Sequence, residues 1–322
     1  MTQPKRCPTG HMIPIFLGLL VGTSCIANRP HIDSEPPSDS LVRIELAPRG
    51  AVVTLGVEDY VVGSILAEAD VRGLEADAAE RVAQVQAILA RTYALANRRR
   101  HSHEGFDLCS TTHCQVYRPS DTLSKDSLGL ASSAARTTAG LVITHEGLPI
   151  NALFHADCGG STSDATVAWG GPTRPYLRAT GDAFCLREAQ TPWRFSLDGP
   201  ALLRALNNDQ RTRVGTHLDA LQVAEEDRAG RVVNVVIRGE RSVSVRGEEL
   251  RHVLTGRFGP HSIRSARFSV ERLGDQFVFE GRGLGHGIGL CQRGASARAR
   301  AGHTATQIFH HYYPGTSLTQ YY

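Results

Sequence analysis

The sequence predicts an α+β fold with a β-rich body, one long central helix and a C-terminal helix. Three observations carry that expectation. Ala78, Val82, Val85, Leu89, Thr92 and Ala96 recur at helical steps of four and three, as one face of a helix does. Val42, Ile44 and Leu46, followed by Val52, Val53 and Leu55, alternate as the two arms of a strand hairpin do. Residues 190–280 are β-rich, alternating over 231–238 and 243–246 around a helix near 200–207. With 322 residues, 41% of them hydrophobic, the chain is long enough to bury a core. Lys+Arg 35 against Asp+Glu 32 leaves a net charge of +3, too even for a dedicated nucleic-acid binder.

Taken in order, the chain opens on an address. Lys5 and Arg6 precede an apolar stretch over 13–21, and the small residues Gly22, Thr23 and Ser24 follow. That pattern describes a secretory signal peptide over 1–24, and the stretch is too short to span a bilayer. Pro14 and Gly18 disfavour the alternative, a buried N-terminal helix. Cys25 resembles a bacterial lipoprotein cleavage site, with Gly22 where Leu is usual. Acylation of Cys25 and simple cleavage both stay open; an acyl chain anchors without spanning. Residues 25–40, with Pro30, Pro36 and Pro37, read as a linker. The hairpin follows from Leu41. Asp77 is placed to cap the long helix, and Arg98, Arg99 and Arg100 suit its C-terminal dipole. Strand-like runs at 141–144 and 150–155 precede Gly/Thr-rich turns. A last helix over 304–312 starts behind Thr304 as its cap.

Four constellations can carry chemistry. His103, Cys109, His113 and Cys114 lie within one short loop, where thiolates and imidazoles can close a tetrahedral site around Zn²⁺. Export permits another outcome, a Cys109–Cys114 disulfide with both histidines on the surface. Alternating glycines from Gly281 to Gly289 can strip one face of side chains, so that a sugar approaches the backbone beside His286. The bland reading is a glycine-rich bend with His286 in the core. Cys158 and Cys185 can pair. Glu68 ends the apolar run of residues 60–67, where apolar neighbours would raise its pKa and make it a general acid. A lone Glu at a helix end is more often a solvated surface group.

Several motifs occur together and in order: Glu68; Gln86-Ala87 with Arg91-Thr92-Tyr93; Cys114-Gln115-Val116-Tyr117; Cys158-Gly159-Gly160; Pro175-Tyr176-Leu177; Gly285-His286-Gly287 running to Gln292-Arg293-Gly294-Ala295; and His311-Tyr312-Tyr313-Pro314-Gly315. In this the chain resembles the SpoIID/LytB family across residues 41–318, so 41–322 is expected to form one peptidoglycan-acting domain. The resemblance implies an α+β fold and a lytic transglycosylase that cuts glycan strands lacking stem peptides. It puts Glu68 at the family's catalytic acid, although Glu68-Ala69-Asp70 stands where Glu-Met-Pro is usual. It implies zinc on His103, Cys109, His113 and Cys114. His286 and Gln292, with Gln115, Tyr117 and Arg91 from the matched motifs, would line the glycan groove. Cys291 stands where Ser is frequent, which makes it the unpaired thiol beside a Cys158–Cys185 disulfide.

The implied chemistry suits a single carboxylate. Ordinary glycosidases use a second carboxylate as nucleophile or base. A lytic transglycosylase needs none, because the 6-hydroxyl of N-acetylmuramic acid attacks its own anomeric carbon and leaves a 1,6-anhydro ring. The partners implied are peptidoglycan glycan strands and, for the amidase-enhancer members of the family, a cell-wall amidase. No nucleic acid is expected, and the membrane enters only through an N-terminal lipid. The expected location is the periplasm or cell envelope. Two rival readings remain: a non-catalytic amidase enhancer that binds peptidoglycan, and a zinc hydrolase, which would need an open metal position.

Overall fold

The computed structural model describes residues 40–48, 50–122, 124–188 and 192–322; the expected signal segment and Cys25 lie outside them. The α+β expectation holds, with strands distributed over several small sheets. β1 (Leu41–Leu46) and β2 (Ala51–Gly56) form the expected antiparallel hairpin, Ile44 opposite Val53. α1 (Val57–Glu68) follows directly and ends on Glu68 itself. The long helix is α2 (Ala76–Ala96), and β3 (Leu108–Cys109) then returns to pair in parallel with β1. α3 (Lys125–Thr137) leads into β4 (Leu141–His145) and β5 (Leu148–Pro149). Of the strand expected over 150–155, only β6 (Phe154–His155) pairs. The short helices α4 (Ala165–Trp169) and α5 (Ala183–Arg187) complete this half.

α2 is not the one-faced surface helix its periodicity suggests. Ala78, Val85, Leu89 and Thr92 are buried as expected, yet so are Ala83, Ala87, Ala90, Arg91 and Ala94, while Ala96 is exposed. Val85, Ile88 and Leu89 pack in one core with Phe309 and Tyr313 from the C-terminal end of the chain. Ala83, Ala87 and Ala90 meet α1 and α3, where alanines at the crossing let the backbones approach. Tyr93 and Ala94 close the core under the β1–β2 hairpin. A helix buried on most sides carries polar groups only where partners await them. Its ends also differ from expectation. Glu75 occupies the N-cap without a side-chain bond, so Asp77 falls in the first turn, and the helix stops at Asn97 before the three arginines.

Residues 192–282 surround a core of their own. β7 (Pro192–Asp198) feeds α6 (Gly199–Asn207), capped by Asp198. β8 (Leu218–Glu226), β9 (Val232–Gly239) and β10 (Ser242–Arg246) form one antiparallel sheet, ordered β10-β9-β8. α7 (Gly247–Phe258) crosses to β11 (Phe268–Leu273) and β12 (Gln276–Arg282), which pair beside β7. Leu206, Val235, Leu254, Phe277 and Phe279 fill the space between. The chain then rejoins the first core. β13 (Leu290–Cys291) pairs with β6, and α8 (Gln292–Arg300) follows. α9 (Ala305–Tyr312) starts behind Thr304, whose hydroxyl and Gln307 form a reciprocal capping box. β14 (Ser317–Gln320) pairs with β4. Among the described residues no helix is long and apolar enough to cross a membrane.

Arg91 is the one buried charged residue on α2, and its position corrects the expectation that it lines the glycan groove. Its side chain is wholly buried. Nε and Nη2 donate to the two carboxylate oxygens of Glu58 at 2.8 and 2.5 Å, while Nη1 and Nη2 also reach the carbonyls of Leu141 and Ala135. One guanidinium thus ties α2 to α1, α3 and β4. Removing one partner of such a pair leaves the other charge stranded. Arg91→Met is expected to lower stability by about 2–4 kcal/mol, the exposed edge of Glu58 keeping the loss below that of a fully buried pair. Adding Glu58→Gln should recover part of that loss in denaturant melts, because the two residues share one interaction.

Candidate active site and metal cluster

Glu68 sits where α1 ends and the chain turns outward. Burial raises its pKa, and hydrogen bonds from the Val116 N–H (3.0 Å to Oε1) and the Gln292 side chain offset this only in part. Gln292 also donates through Nε2 to the backbone carbonyl of Glu68 at 3.0 Å. The carboxyl is therefore held from two directions, by the loop after β3 and by the first residue of α8. Asp70, two residues on, is spent on Arg72 at the surface.

Three clefts meet at Glu68. The largest of them, about 630 Å³, runs past His113 and Cys114 to Phe154, Trp169 and His286. A second, of about 360 Å³, extends between Glu68, Gln86, Gln292 and Arg293, and a third, about 470 Å³, opens towards Arg72 and Arg118. Glu68 is the one carboxylate among the described residues lining the largest cleft. An extended polymer can run through such a junction with Glu68 at its middle.

His286 and Gln292 line that cleft, as expected, but His286 is a wall rather than a free donor. Its Nδ1 accepts from the Ile288 N–H at 3.0 Å, and it has a second backbone hydrogen bond at Phe154. Burial, followed by Arg251 and Arg231, pushes its pKa down to about 3, so the ring is neutral at pH 7. It packs against Trp169 with ring centroids 5.3 Å apart, and the indole remains 37% exposed. In the sequence Trp169 stands only as a residue downstream of the 154–162 segment, and a single aromatic among turn residues signals no role. The glycines of this segment also serve a different end. Gly285, Gly287 and Gly289 take positive φ, and a Cβ on Gly287 would lie 2.1 Å from the Arg231 guanidinium carbon. Their bare faces are filled by the protein, not left open to sugar.

Gln115 and Tyr117 stand behind the cleft. Gln115 is buried and accepts from the Tyr60 hydroxyl at 2.9 Å, and the Tyr117 ring stacks on Tyr60 at 5.6 Å. Together they brace the loop that presents Val116 to Glu68.

That loop also carries a metal-competent cluster, with one member different from expectation. Ligand atoms of His101, Cys109, His113 and Cys114 lie within 4.8 Å of one another. His103 is exposed on a short 3-10 turn and is not among them. Nε2 of His101 lies 3.3 Å from the Cys114 sulfur, and its Nδ1 lies 2.6 Å from Glu104. A carboxylate behind a ligating imidazole fixes the ring and its tautomer, as in other metal sites. His113 Nδ1 lies 3.7 Å from both sulfurs. This donor set suits a closed tetrahedral site, and all four positions would be filled by protein.

The expected Cys158–Cys185 disulfide is absent. The described cysteines, Cys109, Cys114, Cys158, Cys185 and Cys291, all stand as thiols. Cys291 is no isolated thiol either, because it lies against Cys158 and Cys185 in one buried group.

Comparison with known proteins bears on the chain's family. Residues 48–145 match the SpoIID family, described as stage II sporulation protein. Stage II sporulation protein D of Bacillus subtilis is 25% identical over 97% of this chain and 91% of its own length. That of Bacillus amyloliquefaciens is 26% identical over 84% of this chain and 76% of its own. These matches support membership of the SpoIID/LytB family. An amidase enhancer of Bacillus subtilis is 25% identical over 74% of this chain, which spans 38% of that relative. The family match and the names of these relatives support a peptidoglycan-related role. Residues 192–289 match a domain family of unknown function, the same stretch that folds around its own core.

The cluster geometry separates two histidines that lie two residues apart. His101→Ala is expected to lower the metal content of the purified chain by about one ion, whereas His103→Ala leaves it unchanged. Elemental analysis of protein prepared without chelator reads the difference.

Proposed function

We propose that this chain is a peptidoglycan lytic transglycosylase with Glu68 as its single general acid and base. The observation that carries the reading is the junction of three clefts on one partly desolvated carboxyl, with no second carboxylate among the described residues lining the largest of them. A retaining or inverting glycosidase would need that second group. The substrate is the MurNAc–GlcNAc linkage of a glycan strand, stripped of stem peptides so that it fits the groove. The protonated Glu68 gives its proton to the glycosidic oxygen as the bond to the anomeric carbon breaks. The oxocarbenium-like carbon is then attacked by the 6-hydroxyl of the same sugar. Glu68, now a carboxylate, takes that hydroxyl proton and is restored. The products are a GlcNAc hydroxyl and a 1,6-anhydro-MurNAc end, with no water consumed.

The surroundings suit this cycle. A raised pKa keeps more of Glu68 protonated at a given pH than an ordinary carboxyl, while Val116 and Gln292 stabilise the carboxylate left after proton transfer. Trp169 offers an exposed aromatic face on which a pyranose can lie. Zn²⁺ on His101, Cys109, His113 and Cys114 would act structurally, stiffening the loop that delivers the Val116 N–H to Glu68. Export, by a signal over 1–24 with Cys25 as a lipid site, places the chain where this substrate is.

The similarity to an amidase enhancer supports a second reading, a peptidoglycan-binding partner of a cell-wall amidase that cuts nothing itself. The replacement of Met-Pro by Ala69-Asp70 fits that alternative.

Glu68→Gln separates them. Release of anhydro-muropeptides from denuded glycan strands is expected to fall by at least ~10²–10⁴-fold, with glycan binding retained. Wild-type protein that binds strands but releases no anhydro product would leave the enhancer reading standing. The pH dependence has a definite sign. A carboxyl whose pKa is raised on folding contributes stability below its ordinary value of 4.5, and that contribution disappears as pH rises through the raised value. The glutamine amide of the variant is neutral throughout, so its melting temperature relative to wild type should climb with pH. Wild-type turnover should fall over the same window as the acid form is lost.

A further inference from the structure

Behind the groove lies a group of side chains that neither the glycan chemistry nor the first cluster uses. The sulfurs of Cys158, Cys185 and Cys291 and a carboxylate oxygen of Asp182 lie within 4.8 Å of one another, and all four residues are buried. The geometry points to a second zinc site, closed and structural, formed by these three thiolates and Asp182.

The distances suit it. With Zn–S near 2.3 Å, ligand atoms at tetrahedral corners stand about 3.5–3.8 Å apart. The sulfur of Cys158 already lies 3.7 Å from Asp182 Oδ2. The orientation of the ligands is fixed from outside, as metal ligands require. The Gly160 N–H points at the Cys158 sulfur at 3.3 Å. The N–H groups of Cys158 and Gly294 point at the Cys291 sulfur at 3.3 and 3.4 Å. Tyr312 Oη donates to Asp182 Oδ2 at 2.6 Å, and the Cys185 N–H donates to Oδ1 at 3.1 Å. Gly294 makes room for this cradle, since a Cβ there would lie 2.0 Å from Asp182 Oδ2.

Charge supplies an independent observation. Arg231 is 2% exposed, and its Nη2 donates to the Cys158 carbonyl at 2.9 Å, yet its Nε and Nη1 have no hydrogen-bond partner among the described residues. Arg298, also buried, has a nitrogen 3.6 Å from Asp182 Oδ1. Buried guanidiniums need anions nearby. Three thiolates and one carboxylate leave a Zn²⁺ centre with a surplus negative charge of two; Arg298 faces it through Asp182, and Arg231, which also has Glu248 and Asp227 nearby, faces it through Cys158. On binding, three S–H bonds release their protons to solvent as three Zn–S bonds form, and nothing is oxidised. A disulfide between any two of these sulfurs would remove that anion and strand the third thiol.

The site ties together three stretches distant in sequence: the turn after β6, the start of α5, and the junction of β13 with α8. Cys291 is the N-cap of α8, and the next residue, Gln292, holds Glu68. A metal here fixes the end of α8 that faces the groove. The inference stands whether or not Glu68 cuts glycan, because its test reads metal and not turnover.

Full-length protein, purified without chelator, is assayed for zinc beside Cys291→Ser and Cys114→Ser. Cys291→Ser is expected to lose about one zinc per chain relative to wild type while Cys114→Ser keeps about one. Cobalt(II)-loaded Cys114→Ser should still show thiolate-to-metal charge-transfer absorption. Zinc unchanged in Cys291→Ser overturns the assignment. So does a disulfide between any two of Cys158, Cys185 and Cys291 in non-reduced peptide maps of the native protein. Should Cys291→Ser fail to fold, Cys114→Ser decides alone: retained zinc supports the site, and none refutes it.

Discussion

The Arg91–Glu58 pair is the constraint on which the first core depends. Arg91 lies in the middle of a helix buried on most sides, and its fork reaches both Glu58 oxygens and two carbonyls. Glu58 in turn accepts from the Gly140 N–H and the Tyr322 hydroxyl. Helix α1, helix α2, the end of α3, strand β4 and the chain terminus therefore meet on one ion pair. The guanidinium's planar fork makes this possible, where a lysine's single ammonium would serve one partner at a time. Because α1 is fixed at its first turn by Glu58, its last residue, Glu68, emerges at a set place against α8 and the loop after β3. The position of the acid is inherited from a contact a helix length away.

Close backbone approach is the second constraint. The glycine-rich strap over 283–289 packs against His155, Arg231 and Leu153 at distances that exclude a Cβ. In exchange it seats His286 under Trp169 and lets β13 pair with β6, which delivers Cys291 and Gln292 to the site. The strap is thus a packing device whose product is the cleft wall, and its glycines serve protein-to-protein contact.

The sequence displayed its regular elements well and its site unevenly. The hairpin, α6, the β9–β10 pair and the Thr304 cap follow from alternation, Pro placement and cap chemistry, all of which act over a few residues. The raised pKa of Glu68 was legible as well, because an acid closing an apolar run is a local signal of burial. Arg91 was misplaced because its groove role came from a matched motif alone, and its true partner, Glu58, lies 33 positions away, where no local pattern points. His101 and His103 are equivalent by composition. Only the fold distinguishes them, by stacking His101 on Phe106 and placing Glu104 behind its ring. The Cys158–Cys185 pairing failed for a related reason. Two cysteines suggest a bond, but the third member arrives from residue 291, and no local pattern announces a three-sulfur group.

Both thiol-bearing clusters stand in the same relation to Glu68. Cys114 lies two residues before Val116, whose N–H holds the Glu68 carboxyl, and Cys291 lies one residue before Gln292, which holds it from the other side. A general acid with a raised pKa needs donors that stabilise its carboxylate without surrounding it, so their positions must be held tightly. Val116 belongs to a loop with little regular structure, and Gln292 to the first turn of a short helix. Neither segment is rigid by secondary structure alone. Metal held at the two clusters would supply that rigidity, because the chain places a group of potential ligands near each donor. In the proposed enzyme the carboxyl and the two clusters would then form one design: a single acid, tuned by two hydrogen bonds, each donor anchored through a nearby cysteine.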